Sequence, residues 1–343
     1  MDETRRRRRG RRSAAVCAAV VFALSALPVS TLAAERNTPR ELVPVGRTIG
    51  VKLFSEGVLV VALSEGGGDS PAKEGGVKVG DLIVTMNDVA IESTEHLQSL
   101  LAENGEAAAA LSVRRGGRTV KLDVCPKQGE DGVYRLGAWI RDSMAGIGTV
   151  TYYDPASGEF AALGHGVTDV DTGRLMPLAR GAVMAASVKA VKRGESGSPG
   201  ELRGEFDLTR DIGALRANTD CGIFGILNES DRPADSGEAL PLASRSEVKT
   251  GGAQILANCA GSEVCAYDIE IEKVYGGPSP TRNLLLRVTD PALLERTGGI
   301  VQGMSGSPIV QDGKLVGAVT HVLVDDPTRG YGILIENMLE AAG

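Results

Sequence analysis

The sequence predicts a mainly β protein of two or three domains, set behind an apolar segment long enough to cross a membrane. Three observations lead there. Short apolar runs alternate with Gly, Asp and Pro through the second half of the chain, the cadence of antiparallel strands and tight turns. Aromatic residues make up only 3% of the chain while glycine fills 45 of its 343 positions, which suits close strand packing and many turns. Helical periodicity is clear between Ser93 and Glu103, where Leu97, Leu100 and Leu101 share a face, and fades beyond Tyr134.

From the N-terminus, residues 1–12 hold seven Arg against Asp2 and Glu3, a +5 segment; since the whole chain carries −7, the rest carries −12. An acidic body argues against nucleic acid as a partner. The Arg cluster is explained by what adjoins it: Ser13–Ala34 is uncharged, 22 residues long, and about 33 Å as a helix. Arginines ahead of such a run hold the N-terminus in the cytoplasm and send the rest across. Residues 13–34 are therefore expected as an anchor, with the body extracytoplasmic; Thr31-Leu32-Ala33 is the candidate site if the segment is cleaved.

Cys259 and Cys265 lie between two strand-like runs and either pair across them or remain small buried hydrophobes; Cys125 and Cys221 have no evident partner, and Cys17 is inside the apolar run. With three histidines and no His-Glu-x-x-His, no metal site or cofactor is expected.

Residues 35–46 read as a polar linker. A compact module follows over 47–126: a strand at Val58–Leu63, a glycine-rich loop at Glu65–Asp69, a turn-strand-turn from Gly75 to Asp88, the helix, and a hairpin of Ala108–Val113 with Thr119–Val124 around Arg115-Gly116-Gly117. This order, with Gly76, Gly80-Asp81, Ile83 and Asn87, resembles a PDZ domain of the bacterial protease type. The resemblance implies that the Thr48-Ile49-Gly50-Val51 loop holds a peptide carboxylate, with Ile49, Gly50 and Val51 as binding residues, and that a peptide adds as a strand beside Val51–Phe54. His96, in the helix's first turn, either lines that groove or is a solvated surface residue.

Residues 134–343 carry the chemistry. Gly303-Met304-Ser305-Gly306-Ser307-Pro308 is a small-residue loop with a serine at its centre, followed by two apolar strands joined at Asp312-Gly313. Such a loop can present a nucleophile while aiming two amides, those of Gly303 and Ser305, at an oxyanion. A serine nucleophile needs a base. His165, bracketed by Gly164 and Gly166 after a strand, fits better than His321, which lies within a strand. Gly194-Glu195-Ser196-Gly197-Ser198-Pro199 mimics the serine loop. It follows His165 too soon, however, and runs into the charged Glu201–Glu205.

With the anchor and the PDZ-like module, Ala162-Leu163-Gly164-His165, Thr297–Pro308, Gly317–Val322, Asn337-Met338-Leu339 and Arg141–Thr149 together resemble the sporulation stage IV B (SpoIVB) peptidase family. That resemblance implies a chymotrypsin-like double β-barrel with His165 as base, Ser305 as nucleophile and Asp290 as orienting carboxylate; Asp169 and Asp171 are rivals, and Asp290 could instead cap the helix starting at Pro291. It also implies self-cleavage near the N-terminus and a membrane-associated substrate that regulates an intramembrane metalloprotease. The place would be the space between forespore and mother cell, and the outcome activation of a late sigma factor. The PDZ ligand would be another protein's terminus or the protein's own chain. In that barrel class Thr320 and His321 border the substrate pocket, with His321 expected to face it. The competing reading is a non-catalytic PDZ adaptor with a degenerate peptidase domain.

Overall fold

The structure, a computed structural model, describes residues 40–64, 70–232, 237–277 and 279–343. The basic segment and the apolar run 13–34 lie outside them. Among the described residues no helix is long and apolar enough to cross a membrane.

Two-residue strands and the 3₁₀ turn Glu229–Asp231 aside, the elements are β1 (Glu41–Pro44), β2 (Thr48–Leu63), α1 (Pro71–Glu74), β3 (Leu82–Met86), α2 (Thr94–Asn104), β4 (Ala109–Arg115), β5 (Arg118–Val124) and β6 (Ala138–Tyr153). They continue with β7 (Glu159–Ala162), β8 (Arg180–Lys192), β9 (Glu201–Phe206), β10 (Gly213–Thr219), β11 (Gly222–Leu227), β12 (Gly251–Ala260), β13 (Glu263–Val274) and β14 (Leu284–Val288). Last come α3 (Pro291–Thr297), β15 (Pro308–Gln311), β16 (Lys314–Leu323), β17 (Asp326–Leu334) and α4 (Ile335–Ala342).

Two six-stranded rings emerge from the pairing. In the first, β6, β7, β11, β10, β8 and β2 pair in that order, and β2 returns to β6. Its interior holds Ile49, Val51, Val150, Phe160, Val183 and Ile223. The second is a closed barrel of β12, β13, β14, β17, β16 and β15. Alternation decides its faces: Leu284, Leu286 and Val288 point inward, whereas Arg287 points out and pairs with Glu270 and Glu272. The Asp-Gly turn closes the β15–β16 hairpin with positive φ at both residues, 51° and 75°, the backbone a two-residue type I′ hairpin needs. A further apolar cluster, including Tyr152, Phe224, Ala318, Ile333 and Met338, joins strands of both rings to α4 and fixes one ring against the other.

The PDZ core packs the outer half of β2 with β3, β4, α1 and α2 around Val58, Val60, Ile83, Leu97, Leu101 and Leu111. Its boundaries differ from the 47–126 expectation at both ends. Thr48–Phe54 pairs with β6 on one side and β8 on the other, so it is ring rather than PDZ, whereas Leu136, Ala138 and Ile140 join the PDZ core. The module is thus inserted between two ring strands. Nor is the whole of 35–46 linker: Glu41–Pro44 is a strand, with Val43 opposite Tyr153. Cys125, Cys221, Cys259 and Cys265 are free thiols. Across the β12–β13 pair, Cys265 faces Ala257, and the register shifts between Ala257 and Ala260, so the two cysteines are not opposite one another.

Candidate active site

Ser305 sits between α3 and β15 on a path that only small residues can follow. After Gly298 ends α3 in the left-handed region, the chain crosses β17 so closely that a Cβ on Gly299 would lie 2.1 Å from the Pro327 carbonyl oxygen. Gly303 and Gly306, both at φ 98°, then turn it sharply around the serine. Met304 N–H donates to Val301 O, Ser307 N–H to Met304 O and Gly306 N–H to Val319 O, each at 2.8–3.1 Å. The Ser305 hydroxyl donates to Thr320 O at 2.7 Å.

His165 reaches the same cleft from the first ring. Leu163 and Gly164, at φ 71° and 68°, swing the chain off β7. Both bracketing glycines are sterically required. A Cβ on Gly164 would be 3.0 Å from the side chains of Ile333 and Thr320, and one on Gly166 would be 2.2 Å from Leu175 and 2.6 Å from Thr219 O. His165 Nδ1 is 2.9 Å from Gly166 O; a carbonyl can only accept, so Nδ1 carries the proton and Nε2 is left as the base. Burial pushes the His165 pKa below its ordinary 6.5, which the Gly166 hydrogen bond only partly offsets.

Ser305, Gly303, His165 and His321 line one cleft of about 390 Å³, whose walls include Val51, Ile147, Ile300, Val301 and Val322 and no charged side chain. His321 faces it: its ring centre is 5.0 Å from that of His165, tilted by 37°. Its Nδ1 is buried without a hydrogen-bond partner among the described residues. Burial, with the neighbouring His165 adding to it, brings the His321 pKa down to about 4. Thr320 turns its hydroxyl away to Thr281 O at 3.1 Å and meets the cleft through the carbonyl that holds Ser305.

The direction of the Gly303 amide follows from one peptide geometry. Leu202 N–H donates to Gln302 O at 2.8 Å, and because a trans peptide sets N–H opposite C=O, the Gly303 N–H points the other way. Among the described residues, neither the Gly303 nor the Ser305 amide is used in a backbone hydrogen bond.

Two expectations need correction. Asp290 does not orient His165. Its carboxylate caps α3, accepting from Leu293 N–H at 2.9 Å, and also lies 3.4 Å from Asp268 N. Thr289 and Asp268 border Val310–Gly313, the turn end of the β15–β16 hairpin, whereas Ser305 and Thr320 stand at its open end. Asp169 and Asp171 are engaged as well: both bind Arg141, and Asp169 accepts from Thr172 N–H and its hydroxyl. The group on His165 Nδ1 is a backbone carbonyl.

The second correction concerns Ile49, Gly50 and Val51. Gly50 lies opposite Ile147 on one side and Met184 on the other, so neither edge is open to a peptide, and a Cβ there would meet Phe206 at 2.5 Å. Val51 instead lines the cleft that holds His165 and Ser305. The sequence reading missed the Leu136-Gly137-Ala138 turn, where Gly137 has φ 67°. It leads into β6, and α2 runs alongside: Gln98 Nε2 donates to Tyr134 O at 3.0 Å and Thr94 N–H to Asp142 at 2.8 Å. Within Ala138–Arg141 one strand edge pairs with β2, and among the described residues no strand pairs with the other. The apolar–Gly–apolar pattern was the available signal. His96 does not commit its ring to the groove; its Nδ1 accepts from Glu92 N–H at 3.3 Å.

The look-alike loop is a brace. Ser196 donates to Asp325 O and Gly194 N–H to Thr297 O, both at 2.8 Å, which fastens residues 194–200 against the β16–β17 turn and the end of α3.

The model of the SpoIVB peptidase S55 family matches residues 132–339, and a PDZ domain model matches residues 64–115. None of the curated proteins matches the chain. Among solved structures, the PDZ domain of an SdrC-like protein from Listeria monocytogenes is 18% identical over 26% of this chain and 90% of that one, with a TM-score of 0.23. The inactive form of the Rv3671c protease is 17% identical over 57% of this chain and 82% of that one, TM-score 0.31. The active form, from M. tuberculosis, is 18% identical over 58% and 73%, TM-score 0.29.

Proposed function

The chain belongs to the SpoIVB peptidase S55 family and is a serine peptidase carrying a PDZ domain; from that premise we propose that Ser305 is its nucleophile and His165 its base. Attack begins when the Ser305 hydroxyl rotates from Thr320 O to His165 Nε2, which takes the proton as Oγ adds to the peptide carbonyl. The Gly303 and Ser305 amides receive the oxyanion. Gly166 O keeps the imidazole in the required tautomer, and the protonated ring then returns its proton to the leaving amine.

The biological setting we propose is that of an endopeptidase anchored through residues 13–34 and working outside the cytoplasm. It processes itself and cleaves a membrane-associated regulator of an intramembrane metalloprotease, between forespore and mother cell. The Arg-led apolar run and the family membership support this reading. The PDZ groove takes a peptide C-terminus at Leu136-Gly137-Ala138, the peptide adding as a strand along Ala138–Arg141.

One observation carries the catalytic part: His165 from the first ring and Ser305 from the second line the same cleft, and the Gly303 and Ser305 amides make no backbone hydrogen bond among the described residues. The test is purified Ser305→Ala against the parent. Loss of both self-processing and peptide hydrolysis, with folding unchanged, is expected. Self-processing at the parent rate would mean that Ser305 is not the nucleophile.

A further inference from the structure

Among the described residues, the nucleophile loop hydrogen-bonds to β6 through Thr149, which is 1% exposed. Its amide donates to Ser305 O at 3.0 Å, its hydroxyl to Gly303 O at 2.8 Å, and its carbonyl accepts from Leu163 N–H at 3.1 Å, two residues before His165. The approach leaves no slack: a Cβ on Gly306 would sit 2.0 Å from Thr149 O.

Gly303 is the weak point of the oxyanion site. Having no Cβ, it lets the peptides on either side turn over at little cost, and a carbonyl turned into the cleft would set a negative dipole where the oxyanion forms. Three bonds oppose this, one of them the donation of Met304 N–H to Val301 O at the far side of the Gly303–Met304 peptide. Gln302 O is held by Leu202 N–H as part of the pairing with β9. Gly303 O is held by a single side chain, the Thr149 hydroxyl.

We propose that Thr149 is a positioning residue for the oxyanion site: its hydroxyl holds the Gly303 carbonyl out of the cleft, so that the amides of Gly303 and Ser305 converge on the substrate carbonyl. The proposal rests on the serine-peptidase reading of Ser305. Thr149 touches no reacting atom and acts through Gly303. Valine in its place keeps the shape and leaves Gly303 O buried without a donor.

The experiment uses the full chain with Thr149→Val, Thr149→Ser and Ser305→Ala, assayed on one fluorogenic peptide and with a peptide boronic acid whose tetrahedral adduct fills the oxyanion site. Outright loss of one oxyanion donor costs about 10²–10³ in kcat, so partial misplacement in Thr149→Val should cost roughly 10- to 100-fold, with KM within about twofold. Boronate affinity should fall by the same factor as kcat. Thr149→Ser, which keeps the hydroxyl and loses the methyl, should restore kcat to within about threefold of the parent. An unchanged kcat in Thr149→Val, a loss confined to KM, or a Thr149→Ser as impaired as the valine overturns the proposal. If the valine variant does not fold, the serine variant decides alone. Hydrolysis that survives Ser305→Ala sinks the reading of Ser305 as the nucleophile, whereas Ser305-dependent hydrolysis indifferent to Thr149→Val sinks only this one.

Discussion

Asp290 separates two accounts of this enzyme, because family resemblance makes it the carboxylate behind the base and the structure makes it a helix cap. Two substitutions divide the roles. Asn caps a helix as well as Asp but carries no charge; Ala removes both. In Asp290→Ala the lost bond is the 2.9 Å contact with Leu293 N–H, and loss of an N-cap costs about 1 kcal/mol, within 0.5–2. Spread over a unit as large as Glu41–Gly343, that lowers Tm by only about 2 °C. Asp290→Asn should keep both the cap and the Tm, and its kcat/KM should stay within about threefold of the parent, where loss of a triad carboxylate costs about 10⁴ in kcat. Thermal unfolding by circular dichroism and kcat/KM on a fluorogenic peptide, normalised by active-site titration, give both numbers. An Asp290→Asn protein with parental Tm and a thousandfold loss of kcat would refute the reasoning and bring Asp290 into the catalytic machinery.

The remaining predictions follow from the same geometry. Labelling of Ser305 by a small phosphonylating reagent should collapse by orders of magnitude in His165→Ala and survive in both His321→Ala and Ser196→Ala; collapse in His321→Ala with survival in His165→Ala would exchange the histidines. Because burial depresses His165, the acid limb of kcat/KM should have its midpoint below 6.5, the base being neutral above it; a midpoint above 6.5 would contradict a desolvated base. His321 refuses a proton until about pH 4 in the folded chain while the unfolded chain takes it up near 6.5, so its share of the stability is lost as pH falls between those values. Urea midpoints across that window should therefore flatten in His321→Phe, and an unaltered slope would mean His321 is solvated. Gly137→Val, a β-branched residue forced to φ 67°, should weaken binding of C-terminal peptides at least tenfold and leave Ser305-dependent hydrolysis of a small ester intact; equal loss of both would make the turn structural.

The catalytic half of the chain was legible because its signals are local. Glycines bracket His165, Gly303 and Gly306 bend the chain around Ser305, and Asp312-Gly313 specifies its hairpin through the φ values it permits. What stayed hidden depends on distance along the chain. Nothing within Thr48–Phe54 reveals that its two edges are taken by β6 and β8, about a hundred residues or more away, and the stretch reads equally well as a peptide-binding edge. Glu201–Phe206 looks too charged for a strand, yet it runs at a sheet margin, where Glu201, Arg203 and Glu205 can face water while Leu202 alone is buried. Asp290 before Pro291 carried two legitimate meanings, and choosing between them needed the position of β13, which no local pattern supplies.

The nesting of the PDZ module changes what regulation can mean here. Where a PDZ domain follows a protease, the two can be cut apart and studied separately. In this chain β2 passes out of the first ring into the PDZ core, and β6 returns from the PDZ groove into the ring. β6 begins beside the Gly137 turn, lines the catalytic cleft at Met144–Ile147, and reaches Gly303 and Ser305 through Thr149. Excising 47–126 to obtain a bare peptidase would take Thr48–Phe54 out of the ring and strip the pairing from both β6 and β8. Inactivity of such a fragment would therefore say nothing about whether the PDZ activates or restrains the enzyme. Only point changes in the groove, with β2 left in place, test that relation.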